Sequence, residues 1–162
     1  MSDLHIDDFC KDVARILNQL YLVFPRKSTL FVEDIAGHDE PDEFGMHSER
    51  HMACLGAMLW LAEEGVIRFG DTIRQEAVDQ AVLAGRTFAL LSATADALTD
   101  EETAELEARL PAAVRDGGAS AVPPSVLRTG STHVNRLRMA LRSRSSDRIR
   151  SVVLELIDRL QR

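Results

Sequence analysis

The stretch Ser48–Ala93, SERHMACLGAMLWLAEEGVIRFGDTIRQEAVDQAVLAGRTFALLSA, decides how the chain is read. Ser48 is a helix N-cap residue, and Glu49 behind it suits the positive end of the helix dipole. Eleven apolar residues follow, Met52 to Ala62, and Gly65 is placed to close the helix in the left-handed conformation. Val66–Phe69, VIRF, reads as a short strand, Gly70 and Asp71 as the start of a turn, and Gln75–Asp79 as the returning antiparallel strand. From Ala81 to Ala93 the pattern is helical again, with Gly85 as its weak point. A helix apolar on every side is normally buried on every side. The residues from Met52 onward are therefore expected to pack against something.

Upstream, Phe9, Val13, Ile16, Leu17, Leu20 and Phe24 recur at spacings of three and four. They predict a helix over Asp7–Phe24, capped by Asp7 or Asp8 and stopped by Pro25. Ser28–Ile35, STLFVEDI, fits either a short strand at Thr29–Val32 or a brief helix ending at Gly37. His38–Gly45, HDEPDEFG, is a loop in which four of eight residues are acidic. Downstream, Thr99-Asp100-Glu101-Glu102 is a capping box. Its helix uses Leu106, Leu110 and Val114, and Pro111 kinks or ends it. Gly117–Pro124, GGASAVPP, is the clearest linker. Two helices follow, Thr132–Arg142 and Asp147–Gln161, the second capped by Ser146.

The 162 residues fit one domain, or a small domain with a helical appendage, and can bury about two-thirds of their unfolded surface. The pattern predicts a mainly α protein with a small β-hairpin wing. Its expected divisions are a first domain over 1–95, a connecting helix over 96–116, a linker over 117–130 and a C-terminal helical hairpin over 131–162. No apolar run reaches the ~20 residues of a membrane span. Met1–Asp8 is acidic and lacks the features of a secretory signal, so a cytoplasmic protein is expected. Cys10 and Cys54 each sit on an apolar helical pattern and read as reduced core thiols.

The segments LWLAEEGVIRF (Leu59–Phe69) and AVLAGRTFALL (Ala81–Leu91) resemble the winged helix-turn-helix superfamily over about residues 7–93. There a recognition helix often ends near an acidic–glycine pair, a strand and wing follow, and the last strand leads into a helix. The resemblance implies Ser48–Glu64 as recognition helix, Gly70–Arg74 as wing tip and duplex DNA as a ligand.

Base reading needs polar side chains in the first turns of that helix. The candidates are His47, Ser48, Arg50 and His51, with Arg68 and Arg74 from the wing. The net charge of −7 is split: residues 1–112 carry 9 basic and 22 acidic side chains, and residues 113–162 carry 10 and 4. The basic segment is expected to face a polyanion, through Arg136, Arg138, Arg142 and Arg144, to dock on the chain's own acidic body, or to be an arginine-decorated solvent face. Val152, Val153, Leu156, Ile157 and Leu160, with Ile149, form a wide amphipathic stripe and a candidate dimer interface. The leading expectation is a homodimeric DNA-binding regulator. The alternative is a protein-interaction or assembly module that binds no DNA and docks through Trp60 or the last helix.

His47 and His51, four residues apart with Glu49 between them and His38, Asp39 and Glu40 nearby, have the spacing of a zinc pair. HSERH is not HExxH, because the glutamate falls one place late. Ordinary helix-start histidines, or a pH-responsive cluster beside carboxylates, are the preferred reading. Asp39, Glu40, Asp42 and Glu43 lack the spacing of a calcium loop. No phosphate-binding glycine loop and no nucleophile elbow occurs. No enzyme, metal or cofactor is expected.

Overall fold

The computed structural model describes residues 3–109 and 124–162. Its elements in order are α1 (Leu4–Val23), β1 (Ser28–Phe31), α2 (Val32–Ala36), α3 (Glu49–Glu63), β2 (Ile67–Arg68), β3 (Asp71–Ile73), β4 (Ala77–Leu83) and α4 (Gly85–Ser92). There follow α5 (Asp100–Ala108), α6 (Pro124–Gly130), α7 (His133–Ser143) and α8 (Ser146–Leu160). The chain is mainly helical around one small antiparallel sheet, as expected. β4 is the middle strand. It pairs with β1 in the register Leu30 to Val78 and Phe31 to Ala77. It also pairs with β3 (Thr72 to Val78) and with β2 (Ile67 to Leu83). Among the described residues no helix is long and apolar enough to cross a membrane.

α1 buries the expected stripe of Val13, Ile16, Leu17 and Leu20. It begins at Leu4, a turn before the predicted start, so neither Asp7 nor Asp8 caps it. Both aspartates instead face arginines, Asp7 toward Arg150 and Asp8 toward Arg50. Ser28–Ile35 is strand and helix in succession: β1 buries Leu30, and α2 buries Val32 and Ile35 before Gly37 at φ +96°.

Ser48 caps α3 by accepting from the His51 amide, and Gly65 follows it at φ +70°. The helix is not buried all round. His51, Cys54, Leu55, Ala57, Met58 and Leu61 face the core, while Glu49, Met52, Ala53, Gly56 and Glu63 face outward. Those outward positions are three, one, three and seven apart, which is one helical face. The face can be both apolar in sequence and exposed because alanine and glycine offer so little surface to bury. Trp60 is half-buried and packs edge-on against Phe9, with ring centroids 5.5 Å apart.

The hairpin differs from the predicted one. The first arm continues past Gly70 as β3, and the turn falls at Ile73–Glu76, where the Glu76 amide donates to the Ile73 carbonyl at 3.1 Å. Arg74 sits there at φ +52°. The hairpin turn is therefore Ile73–Glu76 and not Gly70–Arg74. The returning strand runs to Leu83, so Ala81–Leu83 is strand where a helix was expected. A central strand covered on both faces reads as a continuous apolar run, which periodicity cannot separate from a buried helix. Gly85 is the first residue of α4, not a flaw inside a helix.

The capping box at Thr99 forms in full. Thr132 caps α7, and Ser145 caps α8 in place of Ser146. Val152, Val153, Leu156 and Leu160 are buried, and Ile157 is half-buried, in the same core as α1. The stripe assigned to a dimer interface is thus consumed within the chain. The 131–162 helices are not an appendage. Ala95 and His133 amides donate to the Ser131 and Ala93 carbonyls at 2.8 and 3.0 Å, tying the C-terminal helices to the end of α4. Of the expected linker, Pro124–Gly130 is helical. Leu110, Pro111, Val114 and Gly117–Pro123 lie outside the described residues.

Candidate functional site

The arginines expected to face DNA divide into two groups. Arg50 turns inward. Its two terminal nitrogens donate to both oxygens of Asp12, at 2.7 and 2.5 Å, and the Asp12 side chain is 1% exposed. Arg136 is buried between Glu102 and Glu155, donating to each at 3.0 Å. Arg138 donates to Asn18 at 2.9 Å and lies over the Tyr21 ring. Neighbouring arginines behave alike: Arg148 pairs with Glu105, Arg150 with Asp7, and Arg159 with Asp96. Of the three expectations for the basic segment, Arg136, Arg148, Arg150 and Arg159 match docking on the acidic body, and Arg142 and Arg144 lie on a solvent face. Arg50, Arg136 and Arg138 are corrected accordingly from DNA contacts to internal partners. Arg68, Arg74, Arg142 and Arg144 are exposed, on β2, at the hairpin turn and at the end of α7.

At the start of α3 the structure brings together three side chains. His47 precedes the Ser48 cap, and His51 is one turn on, so their rings stack, with centroids 3.9 Å apart and planes 6° from parallel. The loop after Gly37 folds back over them and inserts Asp39. His47 Nδ1 lies 2.8 Å from Asp39 Oδ2, and His51 Nδ1 lies 3.7 Å from the same oxygen. The Ser48 amide donates to Asp39 Oδ1 at 3.4 Å. Hydrogen bonds from Ser48, then from His47, hold the Asp39 carboxyl below its ordinary range. The side chains of Asp39, His47 and His51 are 7%, 13% and 2% exposed.

His51 Nε2 lies 2.7 Å from the Gln75 carbonyl in the β3–β4 turn. A carbonyl only accepts, so Nε2 carries the proton, and in the neutral ring Nδ1 is left with a lone pair. That Nδ1 is buried without a hydrogen-bond partner. An unsatisfied buried polar atom costs about 1–3 kcal/mol. The sequence places Asp39 near the pair, together with His38, Glu40 and Glu49, without singling it out as the carboxylate that meets both rings. The His47–His51 spacing was visible. The chain reversal that places Asp39 against it, eight residues before His47, has no local signature.

A second buried histidine has a different setting. His133 opens α7 with Nδ1 unpartnered. Burial first, and then the Arg136 charge, pushes its pKa below 6.5. The unfolded chain therefore binds a proton that the folded one refuses, and stability falls as pH drops below about 6.5. A series of urea melts from pH 8 to pH 5 should show that loss, and a His133→Gln variant should lose less over the same interval.

Cys10 and Cys54 are buried free thiols, as expected. Burial raises both, and burial with the neighbouring Asp12 carries Cys54 to about 12. Neither is a nucleophile at neutral pH.

No family model, curated protein or solved structure matches the chain.

Proposed function

We propose that the chain is a protein-interaction module built on a winged-helix fold, with α3, the loop before it and the wing tip as its contact surface. The order helix, strand, helix, helix, strand, turn, strand is that of the winged helix-turn-helix. In that reading α3 stands where a recognition helix would and Ile73–Glu76 is the tip of the wing.

One observation carries the preference for a protein partner: the outward face of α3 is Glu49, Met52, Ala53, Gly56 and Glu63, without a cation. Binding to duplex DNA depends on neutralising phosphates, and base reading on arginine, lysine or amide side chains. The one arginine in the first turn, Arg50, is held by Asp12. The neighbouring loop would repel phosphates through Glu40, Asp42 and Glu43. The same loop exposes Phe44, 81% accessible, and Met46, and Met52 of α3 and Ile73 of the hairpin turn are exposed as well. Asp42 Oδ1 accepts from both the Phe44 and Met46 amides at 2.9 Å, which fixes the turn that presents them. An apolar anchor ringed by carboxylates fits a partner with an apolar pocket edged by lysine and arginine. Self-association through α8 would require it to leave α1.

Light scattering on the untagged chain, with and without random duplex DNA at low salt, separates the readings. We expect no DNA complex. A cross-linked partner should be retained by the native chain, weakened by salt, and lost from a Phe44→Ser/Met46→Ser variant. A second reading rests on Arg68 and Arg74, which face solvent on the wing. A duplex complex whose salt slope falls by about 1 on each of Arg68→Ala and Arg74→Ala would establish it instead.

A further inference from the structure

We propose that Asp39, His47 and His51 form a binding site for a divalent transition metal of the zinc class, with at least one coordination position left open. Two imidazole nitrogens and one carboxylate oxygen converge, all within 4.8 Å of one another. Zinc bonds to nitrogen and oxygen are about 2.0–2.2 Å, so ligand atoms at tetrahedral angles stand about 3.3 Å apart. The separations from Asp39 Oδ2, 2.8 Å to His47 Nδ1 and 3.7 Å to His51 Nδ1, lie on either side of that spacing. The two rings now stack with nearly parallel planes, so one ion is shared only after a ring tilts until both nitrogen lone pairs meet at it.

The orphaned His51 Nδ1 is what singles this cluster out. The Gln75 carbonyl fixes the proton on Nε2, so the lone pair of Nδ1 points into the cluster. Outer-shell hydrogen bonds of this kind normally orient metal-ligating histidines. A lone pair facing a carboxylate oxygen is repelled by it, and a cation between the two reverses the sign of that interaction. Asp39 is oriented in the same way. The Ser48 amide holds Oδ1, leaving Oδ2 directed at the two rings. For the metal to enter, His47 Nδ1 gives up the proton it now shares with Asp39: the neutral ring takes one up at Nε2 in exchange, and the imidazolium releases one to solvent. His47, the most exposed of the three, is the edge from which the ion arrives.

The donor set defines the ion. Two imidazoles disfavour calcium and magnesium, which take oxygen ligands, and suit zinc, iron(II), cobalt or nickel. The positive end of α3 opposes a cation, and the Asp39 carboxylate offsets it. A dication with one carboxylate retains one positive charge, which suits water or an anionic group in the open position. The ion would tie the 37–48 loop to α3 and, through His51 and Gln75, to the wing. The site stands independently of whether the partner is a protein or DNA.

The test uses the untagged full chain, stripped with a chelator and titrated separately with Zn²⁺ and Co²⁺. We expect one zinc per chain, a higher melting temperature with zinc that the chelator reverses, and visible cobalt bands typical of four or five ligands. Asp39→Asn and His47→Gln should each weaken zinc binding about tenfold or more. His38 provides the control, since it lies exposed 3.6 and 3.7 Å from Glu33 and Glu40 and imitates an adventitious surface site. His38→Gln should leave the affinity unchanged. Circular dichroism establishes that each variant is folded, and the more exposed His47 position serves if Asp39→Asn is not. The proposal fails if neither metal is taken up. It also fails if uptake survives Asp39→Asn and His47→Gln, or is lost with His38→Gln alone.

Discussion

Arg136→Ala is expected to lower the unfolding free energy by about 3–5 kcal/mol. Single domains have only about 5–15 kcal/mol in total. Arg136 is buried, and so is Glu102, to which its Nε donates at 3.0 Å. Truncation leaves the Glu102 carboxylate away from water without its counter-charge. The cost is greater than the loss of a surface pair, which is about 0–1 kcal/mol. Glu102 also closes the capping box, accepting from the Thr99 amide at 2.9 Å, so disturbing it frays the start of α5 as well. A double variant, Glu102→Gln with Arg136→Met, removes both charges and keeps a side-chain oxygen for the Thr99 amide. It should recover most of the loss, since buried pairs are often replaceable by apolar groups of similar volume. Chemical denaturation of the two variants beside the native chain measures both effects. An Arg136→Ala protein as stable as the native one would mean that Arg136 is not the internal partner of Glu102.

What the sequence made legible was written in local signals. Ser48 and Gly65 marked the two ends of α3, and Thr99 with Glu102 marked the start of α5, because caps involve residues three or four apart. The stripe of α1 was equally plain. The start of β4 was legible as the returning strand Gln75–Asp79, but its end was not, because Ala81, Val82 and Leu83 are all buried and lose the alternation by which a strand is recognised. The outward face of α3 was hidden for a related reason: Ala53 and Gly56 look apolar in a sequence and are small enough to be left in solvent. The site depended on long-range placement. That a segment with 10 arginines meets the acids of residues 1–112 could be posed from charge. Which arginine meets which carboxylate could not, since Arg136 and Glu102 are 34 residues apart and Arg150 and Asp7 are 143 apart. Asp39 is the same case on a smaller scale.

Arg50 turns that distinction into a measurement. If it served DNA, its removal would reduce binding and leave the melting temperature unchanged. As the bidentate partner of Asp12 it should do the reverse. Arg50→Ala is expected to cost about 3 kcal/mol of stability, because Asp12 lies in the α1–α3 interface and would be left unpaired. Arg50 is itself about one-third exposed, which places the effect below that of Arg136. Arg50→Lys should recover only part of the loss. A lysine brings one point charge where the guanidinium makes two parallel bonds, at 2.7 and 2.5 Å. Charge alone would predict full rescue by lysine, so the gap between the two variants measures the fork geometry. That geometry fixes the angle at which the first turn of α3 lies on α1, and with it the position of His47, His51 and the loop above them.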